Sequence, residues 1–171
     1  MIFKTERCII KQVNTDDKQD LFSMCDDPNV WQYLGGNSTA EHHRKNIENM
    51  EHLLANADLT ELTRWAIRSK VDSAFLGCVF LNKHHDGNDV ELSYMLLSEH
   101  WGNGYASEAA SEIIRYAFDE NGKKLNRLVA ETQSANLVSR KLLEKLGFQK
   151  IKELTRFDAE QTLYALDNPA L

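Results

Sequence analysis

The sequence predicts a mixed α/β fold in one domain, an antiparallel half followed by a β-α-β-α-β half, with helices flanking the sheet. Three observations carry that expectation. A chain of 171 residues with 42% hydrophobic content suits a single core. Short runs rich in β-formers, separated by turn signals, fill much of the first half. Two segments with apolar residues at three- and four-residue steps, each preceded by a strand-like run, fill the second. There are only two prolines, Pro28 and Pro169. With no Gly/Ser-rich linker and no internal repeat, residues 1–171 read as one domain.

Residues 8–13 (CIIKQV) read as the first strand. Asn14 or Thr15 then supplies a side-chain oxygen to cap a helix over 16–25 that buries Leu21, Phe22 and Cys25. Ser38 or Thr39 precedes a longer helix, 40–56, with Ile47, Met50, Leu53 and Leu54 on one face. Residues 64–68 (RWAIR) and 75–82 (FLGCVFLN) are strands joined by a polar turn at 70–73. Asp86-Gly87 is a hairpin signal, because glycine accepts positive φ cheaply, and 90–97 (VELSYMLL) returns as the next strand. The clearest amphipathic helix is 105–121, burying Ala106, Ala109, Ala110, Ile113, Ile114, Ala117 and Phe118, with Asn121-Gly122 to end it. A strand at 127–132, a helix at 137–146 closed by Gly147, and short strands at 149–154 and 161–166 complete the chain.

Composition excludes several classes. Twenty Lys plus Arg against 26 Asp plus Glu give a net charge of -6, with no basic stripe for nucleic acid. The longest apolar stretch, residues 74–81, falls far short of the ~20 residues a spanning helix requires. Lys4, Glu6 and Arg7 break any signal-peptide core at the start. Three widely spaced cysteines, Cys8, Cys25 and Cys78, fit buried reduced thiols. The expectation is a cytoplasmic protein, monomer or homodimer, with no membrane or nucleic-acid partner. The six histidines lack H-x-x-x-H or similar ligand spacing, so no metal is expected. His42, His43, His84 and His85 read as surface residues, whereas His100 lies near a candidate anion site.

That candidate is the turn between the 90–97 strand and the long helix, Trp101-Gly102-Asn103-Gly104-Tyr105-Ala106-Ser107. Gly102 and Gly104 let backbone N–H groups approach a ligand without Cβ obstruction. The N–H groups sit at a helix N-terminus, where dipole and free donors favour phosphate. The same glycines can equally serve turn geometry alone. The loop is not a Walker motif, and Ser107 stands where a Rossmann motif has its third glycine.

With Asn136-Leu137-Val138-Ser139 and Glu144-Lys145-Leu146-Gly147-Phe148 added, the chain resembles the GNAT superfamily of acyl-CoA-dependent N-acetyltransferases, in its RimJ/RimL-like branch. The W-G-x-G-Y-A form and the N-x-x-S…E-K-x-G-F signature carry the resemblance. Thr5-Glu6-Arg7, Trp65-Ala66-Ile67 and Gly77 extend it over about residues 5–166.

The resemblance implies the GNAT acyltransferase fold, a mostly antiparallel sheet splayed at the strands that receive CoA, and acetyl-CoA as cosubstrate. Its pantetheine arm would pair with backbone at Met95 and Leu96, one of whose N–H groups would serve the oxyanion. Its pyrophosphate would meet Gly102, Asn103, Gly104, Tyr105, Ala106 and Ser107. Asn136 would contact CoA or anchor the helix entry. Glu91 is the candidate base, since a partly buried carboxylate is suited to accept the amine proton; it can also be a solvent-facing strand residue, and Asp89 is the substitute. Where many family members carry a tyrosine as general acid, this chain has Leu143. Ser139 is the substitute donor to the leaving sulfur, although Ser139 and Asn136 also suit helix capping.

Trp31 and Tyr33 would wall the amine pocket or cover the core. The implied reaction is direct acetyl transfer to a primary amine in a ternary complex. A protein N-terminal amine leads the acceptors, and polyamines or aminoglycosides follow on account of Asp26, Asp27, Glu48 and Glu51. The alternative is a silent CoA-binding module that keeps the fold without turnover.

Overall fold

Alternation along the strands decides how this sheet is covered. In the computed structural model, which describes residues 1–35, 39–49 and 64–170, the strands are β1 (Ile2–Lys4), β2 (Cys8–Gln12), β3 (Arg64–Ser69), β4 (Phe75–Lys83), β5 (Val90–Leu96), β6 (Arg127–Gln133), β7 (Gln149–Arg156) and β8 (Ala159–Asp167). They form one sheet in the order β1-β2-β3-β4-β5-β6-β8-β7. Every neighbouring pair is antiparallel except β5 and β6. The helices are α1 (Lys18–Asp26), α2 (Ala40–Glu48), α3 (Tyr105–Phe118) and α4 (Leu137–Lys145).

One face carries Trp65, Ile67, Val79, Leu81, Leu92 and Leu96, packed on Ala109, Ala110, Ile113 and Ala117 of α3 and on Leu143 of α4. The other face carries Ala66, Cys78 and Phe80, packed on Leu21, Met24 and Cys25 of α1 and on Ile47 of α2. Odd positions of β4 face α3 from Val79 onward, yet Phe75 faces α1. The phase slips at Gly77, where the β3–β4 register jumps between Ile67 and Arg68. Gly77 has φ +149°, and a Cβ there would lie 2.2 Å from the Met95 carbonyl oxygen of β5. This bulge lets β4 bury side chains on both faces while lying close against β5.

The sequence reading holds for the meander, the two later helices and the two last strands. The strand β1 was not expected; it is three residues long and pairs with β2. Helix α1 starts two residues later than expected, at Lys18, because Asn14 caps a separate 3-10 turn, Thr15–Asp17. Met24 is buried in α1 where Phe22 was expected; Phe22 lies half-buried under the Arg44 guanidinium. Thr39 caps α2 as anticipated; Ser38 and the face positions Met50, Leu53 and Leu54 lie outside the described residues.

Helix α3 ends at Phe118, before Asn121-Gly122. Gly122 serves another purpose: a Cβ there would lie 2.0 Å from the Tyr116 carbonyl oxygen, so only glycine lets the chain fold back under the helix. Gly147 does close α4, at φ +91°, with Gly147 and Phe148 N–H groups donating to Glu144 and Leu143. All three cysteines are buried and free. No helix among the described residues is long and apolar enough to cross a membrane.

Candidate active site

The parallel pair β5–β6 has two rungs, Val90 with Leu128 and Glu91 with Val129. Beyond them β5 runs on to Leu96 and β6 to Gln133 without pairing to each other, so the sheet opens into a V. Strand edges that diverge leave backbone donors and acceptors for a ligand that carries amides. Met95 and Leu96 lie on the β5 arm of this V, Met95 half-buried and Leu96 7% exposed.

Glu91 sits at the apex, half-buried. Its carboxylate accepts the backbone N–H of Glu131 from the opposite arm and, at 3.5 Å, the Ser93 hydroxyl. Burial pushes its pKa up, and the Glu131 charge adds to the shift against the partial offset of nearby His84. A carboxylate so placed holds a proton more readily than one in water. Asp89, the substitute, is half-buried at the β4–β5 turn, and its carbonyl accepts the His84 N–H at 3.0 Å.

Period-two alternation turns Tyr94 to the face opposite Glu91, toward α4. Its hydroxyl lies 2.9 Å from Ser139 Oγ. Burial pushes the Tyr94 phenol up to about 12, so it remains a neutral donor. Sequence reasoning missed Tyr94, which reads as one more aromatic in an apolar strand. Ser139 is half-buried, and its N–H donates to Asn136 Oδ1 at 3.1 Å, so Asn136 caps α4. Leu143 is buried in the core at 1% exposure. Glu91 and Ser139 thus flank the V from opposite faces of the sheet.

At the open end, Gly102 (φ +75°) and Gly104 (φ +81°) adopt the left-handed conformation. Gly104 is the N-cap of α3 and offers no side-chain oxygen to the first turn. The N–H groups of Gly102, Asn103, Gly104, Tyr105, Ala106 and Ser107 donate to no group among the described residues. Space around Gly102 is open to 4 Å in the direction of a Cβ. Free donors, open space and a helix N-terminus fit a pyrophosphate.

The turn is held from two sides. Trp101 Nε1 donates to the Leu96 carbonyl at 2.9 Å, which ties the turn to the end of β5. Arg7 donates through Nη1 to the Asn103 carbonyl at 2.9 Å and through Nε to Glu108 Oε2 at 2.8 Å. Its guanidinium also lies 4.8 Å from the Tyr105 ring centroid. Burial raises the Glu108 pKa, but the Thr5 and Arg7 donors outweigh it and hold the carboxylate ionised. His100 is half-buried, its ring 6.5 Å from that of Tyr105.

On the α1–α2 side, Trp31 is half-buried, donates Nε1 to the Met24 carbonyl at 2.9 Å and meets the His43 ring at 5.4 Å in a tilted arrangement. Tyr33 is half-buried in the following turn. Of the acidic residues expected near the acceptor, Asp26 is paired with Arg44. Asp27 accepts the Ser98 N–H at 2.7 Å and the Asn29 N–H at 3.0 Å. Glu48 is exposed, and Glu51 lies outside the described residues, as does His52. The expectation that His42, His43, His84 and His85 are surface residues fails at two of them. His84 is 3% exposed, and His43 is half-buried, with Nε2 lacking a hydrogen-bond partner among the described residues.

Comparison with known proteins agrees with this geometry. A family model described as acetyltransferase (GNAT) domain matches residues 7–149. An uncharacterized N-acetyltransferase of Bacillus subtilis, YoaA, is 29% identical, over 87% of this chain and 83% of that one. Mycobacterium smegmatis RimJ, solved in complex with CoA-disulfide, superposes with TM-score 0.79 at 16% identity, over 99% of this chain and 88% of that one. Ribosomal-protein-S5-alanine acetyltransferase of Vibrio fischeri superposes with TM-score 0.76 at 19% identity, over 99% and 97%. The chain belongs to the GNAT family and is an acetyl-CoA-dependent N-acetyltransferase.

Proposed function

We propose that this enzyme acetylates a primary amine by direct attack on acetyl-CoA, with a peptide N-terminal amine as acceptor. The observation that carries the reading is Glu91, a half-buried carboxylate with a raised pKa at the apex of the V. Bound acetyl-CoA would supply the acetyl thioester, its pyrophosphate held by the free N–H groups of residues 102–107 and its arm along Met95 and Leu96. Glu91 takes the proton of the attacking amine, which must be lost for the C–N bond to persist. Ser139, its hydroxyl oriented by Tyr94, donates a hydrogen bond to the departing sulfur. Asn136 fixes Ser139 through the helix cap.

A peptide N-terminus is favoured over a polyamine because Asp26 and Asp27 are engaged within the protein and do not form a free anionic wall. Trp31 and Tyr33 line the approach on the α1–α2 side, where Vibrio fischeri ribosomal-protein-S5-alanine acetyltransferase offers a precedent for a peptide acceptor in this fold. The protein acts as a single domain in the cytoplasm.

The test measures CoA-thiol release from acetyl-CoA with an equimolar pool of peptides beginning with Ala, Ser and Met, and separately with spermidine. Turnover of the peptide pool, lost in Glu91→Gln and reduced in Ser139→Ala, is the expected result. Tight acetyl-CoA binding without turnover of either acceptor would leave the silent-module alternative standing. Undiminished rates in both variants would remove the assigned roles.

A further inference from the structure

Arg7 makes more contacts than a surface arginine needs, and the chemistry above uses none of them. It lies in the short turn between β1 and β2, which meets the first turn of α3. The Arg7 N–H and the Thr5 hydroxyl both donate to Glu108 Oε1, and Arg7 Nε donates to Glu108 Oε2 at 2.8 Å. The Arg7 carbonyl accepts the Lys70 N–H at 2.9 Å, so the same turn is also tied to the residue that follows β3.

Those bonds fix the stem of Arg7, and its far end does something separate. Nη1 donates to the Asn103 carbonyl at 2.9 Å. The peptide linking Asn103 to Gly104 is trans, so its C=O and its N–H point in opposite directions. With the carbonyl gripped from one side, the Gly104 N–H points away from Arg7, and it donates to no group among the described residues. A Cβ on Gly104 would lie 3.3 Å from Arg7 Nη2, so the guanidinium sits directly against the turn. A cation on the carbonyl also polarises the peptide and strengthens its N–H as a donor. A staple between the β1–β2 turn and α3 calls only for the Glu108 pair and leaves Nη1 to water.

We propose that Arg7 is a positioning residue for acetyl-CoA, holding the Asn103–Gly104 peptide so that the Gly104 N–H faces the pyrophosphate. This rests on the pyrophosphate lying at residues 102–107. Arg7 touches the peptide rather than the cosubstrate and takes no part in acetyl transfer. Its effect is therefore confined to donors that carry the pyrophosphate.

The experiment titrates the full chain with acetyl-CoA and, in parallel, with acetylpantetheine, which carries the same thioester and arm but ends before the pyrophosphate. No acceptor amine is needed. Arg7→Met keeps the stem without the guanidinium. Glu108→Gln keeps Arg7 charged but sets an amide NH2 against Nε, which frees the guanidinium from its anchor. Ser107→Asp places a carboxylate in the phosphate seat itself. Arg7→Met is expected to bind acetyl-CoA about tenfold more weakly, the loss of one hydrogen bond to a charged group, with wild-type affinity for acetylpantetheine. Glu108→Gln should weaken acetyl-CoA about threefold. A role limited to neutralising the Glu108 charge gives the opposite sign, tighter binding once that charge is gone.

Wild-type affinity for acetyl-CoA in folded Arg7→Met would overturn the proposal. So would an equal loss with acetylpantetheine, the mark of a loosened fold. Wild-type or tighter acetyl-CoA binding in Glu108→Gln would overturn it too, and that variant keeps the test open if Arg7→Met fails to fold. A loss in Ser107→Asp with none in Arg7→Met removes the role of Arg7 alone. Wild-type acetyl-CoA affinity in Ser107→Asp removes the pyrophosphate placement and the role of Arg7 together.

Discussion

Replacing Gly77 with alanine strikes the strand that carries the site without touching a reacting group. Gly77 holds φ +149°, and the new Cβ would lie 2.2 Å from the Met95 carbonyl oxygen and 2.6 Å from Leu96 Cα. Both neighbours are backbone, so relief requires β4 and β5 to separate rather than a side chain to swing away. Backbone strain in that conformation costs about 1–3 kcal/mol. Forced displacement in a packed core adds about 1–3 kcal/mol. Together they remove a large part of the about 5–15 kcal/mol typical of a domain.

With a urea slope of about 2 kcal/mol per molar, the unfolding midpoint should fall by about 1–3 M. Acetyl-CoA affinity should weaken as well, because Met95 and Leu96 are displaced. Gly102→Ala is the control: its φ of +75° is also strained, but the Cβ meets nothing within 4 Å, so only about 1 kcal/mol is expected. A Gly77→Ala midpoint within about 0.3 M of wild type would refute the close-approach reasoning.

Other outcomes follow from the same geometry. Tyr94→Phe removes the 2.9 Å contact to Ser139 Oγ; stability should change by about 1 kcal/mol, and kcat should fall with acetyl-CoA KM unchanged, as steady-state kinetics will show. His43 has its pKa lowered from 6.5 to about 4, chiefly by burial, so the unfolded chain protonates first and stability falls as pH drops through that window. The loss amounts to about 3 kcal/mol, and His43→Leu should flatten it in urea titrations at stepped pH. Gly104→Ala puts a Cβ 3.3 Å from Arg7 Nη2 and should raise the acetyl-CoA KM several-fold with little change in kcat. Burial raises the Cys78 pKa strongly, so thiol reagents should label it only after unfolding.

Much of this fold is legible because local signals agree with packing. The Asp-Gly turn, the alternation of β3 and the three-to-four-residue steps of α3 each specify an element from adjacent residues alone. The bulge at Gly77 is not legible, since its cause is the approach of β5 about twenty residues on, and nothing in FLGCVFLN marks where the phase slips. Gly122 misleads for a similar reason: it looks like a helix stop but serves the return of the chain under Tyr116.

In the site, the glycine turn is readable as chemistry, and Glu91 is readable as a carboxylate on the right strand. Tyr94 and His84 are not. Their partners, Ser139 and Glu131, lie 45 and 47 residues away, and only the sheet order brings them together. The same holds for Asp27, an acidic residue whose role as a cap for Ser98 spans 71 residues.

The V between β5 and β6 has a consequence for the free protein. A sheet ordinarily closes its own hydrogen bonds, but two rungs leave this one a strand short in its middle. In the proposed binding mode the arm of acetyl-CoA would complete it, and substrate would then also be a folding partner for the two arms. Amide exchange should therefore slow most along the outer part of β5 and the facing edge of β6 when acetyl-CoA binds, more than in α3, which is already packed on the core. On this view the enzyme cycles between a sheet with a gap and a sheet made whole, and each turnover reopens the gap.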